Sequence, residues 1–193
     1  MPTTCTAFAG SKRIASGPPE QVALAVKLAL DAKVVDHPLL VFDDANGAPV
    51  DFDLRGTPQD ILARLAPQET PDQQPARGPG RPKLGVVARE VTLLPRHWDW
   101  LSAQPGGASV ALRKLVDAAR ATHAGADRRR LAQQAADRFM SALAGNEPGY
   151  EEAARALYAG DKAWFAQSMV AWPADVRDHA LRLAAAAFDD GAA

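Results

Sequence analysis

Over the first 66 residues, short apolar runs alternate with polar positions, a pattern typical of a small mixed domain. Residues 4–9 and 13–16 predict two strands separated by a turn at Gly10. Pro18, Pro19 and Glu20 then open a helix with a long apolar run. The chain is therefore expected to begin with a strand pair followed by a helix.

Two further strands and a short helix are predicted in the rest of this region. Residues 38–42 form an apolar run typical of a buried strand, and residues 50–54 alternate apolar and acidic side chains like a half-exposed one. The Asn46-Gly47 pair between them favours a tight hairpin, because both residues accept a positive φ. A last helix is predicted from Thr57 to Leu65. Residues 1–66 thus predict a small α+β domain of ββαββα order.

A linker separates this domain from the remainder of the chain. Residues 67–82 contain five prolines, two glycines and no large apolar side chain, so they cannot bury enough surface to offset the entropy of ordering. We assign residues 67–85 to a basic linker rich in proline and glycine. Residues 126–193 have helical periodicity, with helices expected over 127–144, 150–159, 162–172 and 173–188, and are assigned to a C-terminal α-helical bundle.

Residues 86–125 predict a short strand followed by two helices. A β-rich stretch ends at Pro95, where a helix can start, and a second helix begins after Pro105-Gly106-Gly107. Strand, proline, helix, glycine and helix in this order resemble the ribbon-helix-helix module of small bacterial repressors. The resemblance implies a homodimer in which paired strands enter the DNA major groove and the helices form the dimer core.

The strand of this segment departs from that family in one respect. If Leu94 faces the core, then Arg89, Val91 and Leu93 face the groove. Valine and leucine side chains cannot donate the hydrogen bonds that discriminate bases. We therefore expect low sequence specificity.

Charge is distributed unevenly although the 193 residues sum to −1. Residues 77–130 contain 11 of the 22 basic residues and four acidic ones, a net charge of +7. Residues 1–66 sum to −2, and the segment after residue 130 is acidic as well. A basic centre between acidic flanks indicates a polyanionic partner for the centre.

The linker carries a second resemblance to DNA-binding proteins. Gly80-Arg81-Pro82-Lys83 resembles the core of an AT-hook, although Pro79 replaces its first arginine. The resemblance implies that Arg77, Arg81 and Lys83 contact narrow A·T-rich minor grooves.

The sequence lacks the residue patterns typical of metal sites and of common enzyme active sites. Cys5 is the only cysteine, the four histidines are scattered, and the calcium-loop-like run from Asp44 has Arg55 where a carboxylate is required. Phosphate-loop, dinucleotide and nucleophile-elbow motifs do not occur in the sequence. We expect a non-enzymatic protein without cofactor or metal. The sequence has no membrane-spanning run and no secretory leader pattern, which predicts a cytoplasmic location.

The arrangement as a whole is similar to an uncharacterised bacterial family, the domain-of-unknown-function family 2239. Residues 6–10, 80–87 and 91–115 carry this resemblance, which covers nearly all of the chain and implies no activity.

These observations predict a DNA-binding regulator or accessory protein of low sequence specificity. Its DNA-binding residues would lie in the linker, beside the ribbon and on the second helix: Arg77, Arg81, Lys83, Arg89, Arg96, Arg113 and Lys114. The alternative is a protein-interaction adaptor, in which the central segment only dimerises or packs and the N-terminal domain captures a protein partner. Burial of Val91 and Leu93 beneath protein would favour the adaptor, and their exposure would favour DNA binding.

Overall fold

The structure, a computed structural model, describes residues 2–32, 37–66, 87 and 89–189. The chain divides into two compact units. The first unit combines residues 1–66 with residues 125–193, and the second consists of residues 67–124. The linker predicted at 67–85 lies outside the described residues.

The described residues form a mixed α+β structure, which confirms the predicted class. The elements in chain order are β1 (Cys5–Ala9), β2 (Lys12–Gly17), α1 (Pro19–Asp31), β3 (Leu39–Asp43), α2 (Pro58–Leu65), α3 (Pro95–Ser102), α4 (Gly107–Ala144), α5 (Tyr150–Ala159), α6 (Lys162–Ser168) and α7 (Ala174–Ala184). A short 3-10 turn (Ala185–Ala187) follows α7. Within the described residues, no helix has the length and apolar character needed to cross a membrane.

The three strands form one antiparallel sheet in the order β2-β1-β3. The central strand β1 is the most deeply buried, and Cys5, Thr6, Ala7 and Phe8 have no solvent exposure. Because neighbouring residues of a strand point to opposite faces, this burial means that both faces of β1 are covered. Val22 and Val26 of α1 belong to a small cluster on one side, together with Cys5 and Ala7.

The fourth strand predicted at residues 50–54 is wrong. Only an isolated bridge between Phe42 and Pro49 and one bond from Val50 N to Val41 O join this segment to β3. Pro49 has no N–H to extend the ladder, since proline lacks the donor. The alternation nevertheless marks burial correctly, because Val50, Phe52 and Leu54 pack against the cluster that contains Cys5.

The turn after β3 spans residues 44–47 and includes the predicted Asn46-Gly47 pair, but residues 48–54 form no strand that would make it a hairpin. Asp43 N donates to Ala48 O over 2.9 Å, and Gly47 has a φ of +67°. A Cβ atom on Gly47 would overlap the carbonyl oxygen of Ala135 in α4. Glycine is therefore required here by both backbone conformation and packing.

The N-terminal sheet and the C-terminal helices share one hydrophobic core instead of forming the two domains predicted at 1–66 and 126–193. The ring centroids of Phe8 and Phe139 lie 5.3 Å apart, and those of Phe42 and Phe139 lie 5.0 Å apart. Phe165 and Trp172 belong to the same cluster. The C-terminal helices therefore complete the hydrophobic core against which the N-terminal sheet packs.

Helix α4 runs without interruption from residue 107 to residue 144, where the sequence predicted a break near residue 125. A single glycine inside a helix costs about 1 kcal/mol relative to alanine, which good helix formers on both sides offset. Gly125 has alanine neighbours on each side.

The C-terminal helices begin and end near the predicted residues. Gly160 ends α5 with a φ of +73°, and the Asp161 carboxylate accepts a 2.9 Å hydrogen bond from Trp164 N at the start of α6. Helix α6 stops at Ser168, four residues earlier than predicted. The Trp172 side chain is buried beyond it, and its indole N–H donates to Pro148 O over 2.9 Å.

Candidate functional site

The first unit contains a partly buried polar network, held by β1, β2, the end of β3 and α7. Thr6 Oγ1 donates to Asp44 Oδ1 over 2.8 Å and also lies 2.9 Å from Ser16 Oγ. Arg182 Nη2 lies 2.9 Å from both Thr6 Oγ1 and Asp44 Oδ1. A guanidinium group thus neutralises a carboxylate whose side chain is 12% exposed.

Arg182 also determines the tautomer of His179. Arg182 Nη2 lies 2.8 Å from His179 Nδ1, and because a guanidinium only donates, Nδ1 must accept and the ring proton must be on Nε2. Among the described residues, His179 Nε2 has no hydrogen-bond partner, and Asp44 Oδ1 lies 3.8 Å away. The imidazole is completely buried and packs against Phe8 and Phe139.

Burial lowers the pKa of His179 to about 4, with a further lowering by the positive charge of Arg182. Asp44 acts in the opposite direction but is the smaller influence. The imidazole is therefore neutral at pH 7 and accepts a hydrogen bond without becoming a cation.

A cleft of about 340 Å³ lies beside this network, and Asp44 and Arg182 contribute to its wall. The remaining lining comes mainly from small or apolar side chains and one further arginine: Thr4, Ala45, Arg128, Leu131, Ala132, Ala135, Leu183 and Ala186. Leu131 is 53% exposed. The first unit thus presents two arginines and one aspartate around an apolar surface.

Sequence reasoning did not find the network. The available signal was the pair His179 and Arg182, which stand three residues apart on a helix whose neighbours Ala180, Leu183 and Ala184 are apolar. Nothing in the local sequence indicates that Thr6 and Asp44 meet them.

In the second unit, the segment before α3, α3 itself and the first part of α4 carry the predicted DNA-binding residues that the structure describes. Arg89, Arg96, Arg113 and Lys114 are all exposed. Arg113 Nε donates to Ser109 O over 3.1 Å. Arg77, Arg81 and Lys83 lie outside the described residues.

Residues 89–94, expected to form the ribbon strand, lie in no strand of the described structure. The facing assumed for this segment is also wrong. Leu93 is half-buried and lines an apolar cavity of about 260 Å³ with Trp100, Leu101 and Leu112, whereas Leu94 is 49% exposed. Leu94 is the residue immediately before α3 and has extended dihedrals.

The described part of the second unit buries little apolar surface. Leu101 and Ala111 are its buried hydrophobic residues. Its exposed large hydrophobic residues are Val87, Val91, Leu94, Trp98, Trp100, Leu115 and Val116. The described part of this unit therefore presents a largely apolar surface.

The remaining candidates from the sequence have structural assignments as well. Cys5 is buried, and burial raises the pKa of its thiol to about 11. In and after α6, Phe165, Met169 and Trp172 are core residues, while Trp164 is 40% exposed. Among the described residues, no group of three or more His, Cys, Asp or Glu side chains could hold a metal ion.

The fold and these sites define an α+β protein with a polar network in one unit and an exposed apolar and basic surface in the other. The chain belongs to DUF2239, a family described as uncharacterized proteins conserved in bacteria, whose sequence profile matches residues 4–184. No curated protein and no solved structure matches the chain.

Proposed function

We propose that this protein binds duplex DNA with low sequence specificity through its second unit, as a regulator or accessory protein. The observation that carries the proposal is charge: residues 77–124 contain eight basic and three acidic residues. The five basic residues that the structure describes in this range, namely Arg89, Arg96, Arg113, Lys114 and Arg120, are all exposed.

These five side chains are available for phosphate. Within the described part of the chain, none of them lies within 4 Å of a carboxylate, whereas Arg130 pairs with Asp127 and Arg155 pairs with Glu152. Arg113 and Arg120 are seven residues apart on α4 and so share one face of the helix. Each phosphate contact releases condensed counterions and adds about 0.9 to the slope of log affinity against log salt concentration.

The exposure of Val91 supports DNA binding over the adaptor alternative. Val91 is 53% exposed, and Leu93 is only half-buried, under the side chains of its own unit. Neither side chain donates a hydrogen bond to a base, which is the reason for low specificity.

A homodimer is part of the proposal. Leu115 and Val116 are each about half exposed, and residues 89–94 have no strand partner among the described residues. A second copy would supply both an apolar cover and a pairing strand, as in the ribbon-helix-helix proteins that this segment resembles.

Fluorescence anisotropy with a labelled duplex tests DNA binding. Affinity should fall steeply between about 50 and 200 mM salt, and R113A/K114A should lower the slope by about 2, equally for unrelated sequences. R155A, on α5 in the first unit, is the matched control and should bind like the wild type. Absence of binding at about 100 µM protein and about 50 mM salt would refute the proposal.

The linker makes a separate contribution. Arg77, Arg81 and Lys83 would favour A·T-rich duplexes, whose narrow minor groove attracts arginine. R81A should therefore reduce any preference for an A·T-rich over a G·C-rich competitor, while R113A/K114A should leave that ratio unchanged. If A·T-rich and G·C-rich duplexes compete equally for the wild-type protein, the AT-hook proposal is refuted. The proposal of electrostatic binding through the second unit is unaffected by that result.

Sedimentation equilibrium tests the dimer. L115E/V116E should give a monomer at concentrations where the wild type is a dimer, since two buried carboxylates would lack partners. V170E is the control, because Val170 is 66% exposed in the first unit. A monomeric wild type at about 100 µM would contradict the dimer, since DNA-binding dimers of this kind are held by hydrophobic cores.

A further inference from the structure

The cleft beside the polar network combines features that recognise a small anion. Arg128 of α4 and Arg182 of α7 both line it, against one carboxylate, that of Asp44. Arg128 forms no ion pair within 4 Å with any described residue, and its side chain is exposed. The local charge of the cleft is therefore positive in a chain whose formal net charge is −1.

Arg182 is held in place before any ligand arrives. Its Nη2 atom lies 2.8–2.9 Å from Thr6 Oγ1, Asp44 Oδ1 and His179 Nδ1, which share its two N–H groups, while its side chain remains 48% exposed. Because these contacts use one nitrogen, the other guanidinium nitrogens remain for an outside acceptor. Such preorganisation reduces the entropy lost on binding.

The rest of the cleft is built for a carbon skeleton. Leu131, Ala132, Ala135, Leu183 and Ala186 line it, and the cleft volume of about 340 Å³ lies at the small end of ligand sites. Small side chains leave space along the wall, and the 53% exposure of Leu131 leaves apolar surface for a ligand to cover.

We propose that this cleft binds a small organic carboxylate, with the carboxylate on Arg128 and Arg182 and the carbon chain along the alanine wall. Planar guanidinium groups pair with carboxylates through two parallel hydrogen bonds, which fixes the orientation of the acid. The site lies wholly within the first unit and does not depend on the DNA-binding proposal.

Isothermal titration with straight-chain monocarboxylates from acetate to octanoate, at constant ionic strength and without DNA, tests the site. Affinity should rise with chain length by up to about fourfold per methylene until the cleft is filled. Alcohols of equal length should bind at least tenfold more weakly, and R128Q should weaken the best acid by about tenfold or more. R155Q, an exposed arginine of α5, is the matched control and should change nothing.

A second variant separates the two parts of the site. A186L should shorten the longest acid that binds, because it fills the wall without removing a charge, and circular dichroism checks that it is folded. The proposal is overturned if no carboxylate binds at about 10 mM, if R128Q binds like the wild type, or if octanol matches octanoate. Inorganic phosphate binding as tightly as the best acid would also overturn it, since phosphate has no carbon chain.

Discussion

The contact between Phe8 and Phe139 joins residues 131 positions apart in the sequence, and a double-mutant cycle measures it. Both side chains are completely buried, and their ring centroids lie 5.3 Å apart with planes inclined by 50°. Aromatic pairs at such distances contribute about 0.5–1.5 kcal/mol beyond their buried area. F8L and F139L should each lower the free energy of unfolding by about 1–2 kcal/mol. The double variant should lose less than their sum, by about 1 kcal/mol.

Urea unfolding followed by tryptophan fluorescence is the assay. A background of W98F/W100F restricts the signal to the first unit, where Trp164 and Trp172 lie. V22A with F139L is the control, because Val22 belongs to the other apolar cluster, and those effects should add within about 0.5 kcal/mol. A coupling below about 0.3 kcal/mol between Phe8 and Phe139 would mean that the sheet and the helices have separate cores, and the shared core would be refuted.

Three further changes test other parts of the first unit. G47A should lower the stability measured by thermal unfolding by about 2 kcal/mol or more, since it combines a φ of +67° with overlap at Ala135 O. G160A, at a φ of +73° with open space around it, should cost only about 1 kcal/mol. Equal losses would contradict the packing argument. The pKa of His179 is about 4 in the folded state and 6.5 in the unfolded state, so the free energy of unfolding should fall by up to about 3 kcal/mol as the pH drops from 6.5 to 4. H179Q should lack this part of the pH dependence. Superimposable pH profiles of H179Q and the wild type would contradict the lowered pKa. Cys5, whose thiol has a raised pKa, should resist iodoacetamide at pH 7 until urea unfolds the chain, and rapid labelling of the native protein would contradict its burial.

Local signals in the sequence predicted local structure well. The Gly160 stop forms at the expected position, and Gly47 adopts the positive φ expected of it, although its turn spans residues 44–47 and is not a tight hairpin. The alternation over residues 50–54 identified the buried side chains but not the lack of a ladder, since a half-buried extended segment has the same side-chain pattern as a strand.

Long-range pairing was beyond the reach of these patterns. Apolar periodicity indicates that Phe8 and Phe139 are buried, but it does not indicate which side chains they contact. For this reason a single shared core was predicted as two separate domains. The network of Thr6, Asp44 and Arg182 was missed for the same reason, because its members come from three distant segments. The predicted facing of residues 89–94 rested on the assumption that Leu94 faces the core. In the structure Leu93 lines the apolar cavity instead, and Leu94 is 49% exposed.

The order of elements along the chain has a consequence for synthesis on the ribosome. The chain leaves the first unit after residue 66 and re-enters it at residue 125, so the apolar face of the sheet is made long before the helices that cover it. At translation rates of about 5–20 residues per second, the roughly 120 residues up to the end of α7 take about 6–24 s. During that interval the nascent sheet presents Phe8 and Phe42 without the helices that cover them. A chain released before α7 is complete would lack part of the shared core and should be a target for proteolysis.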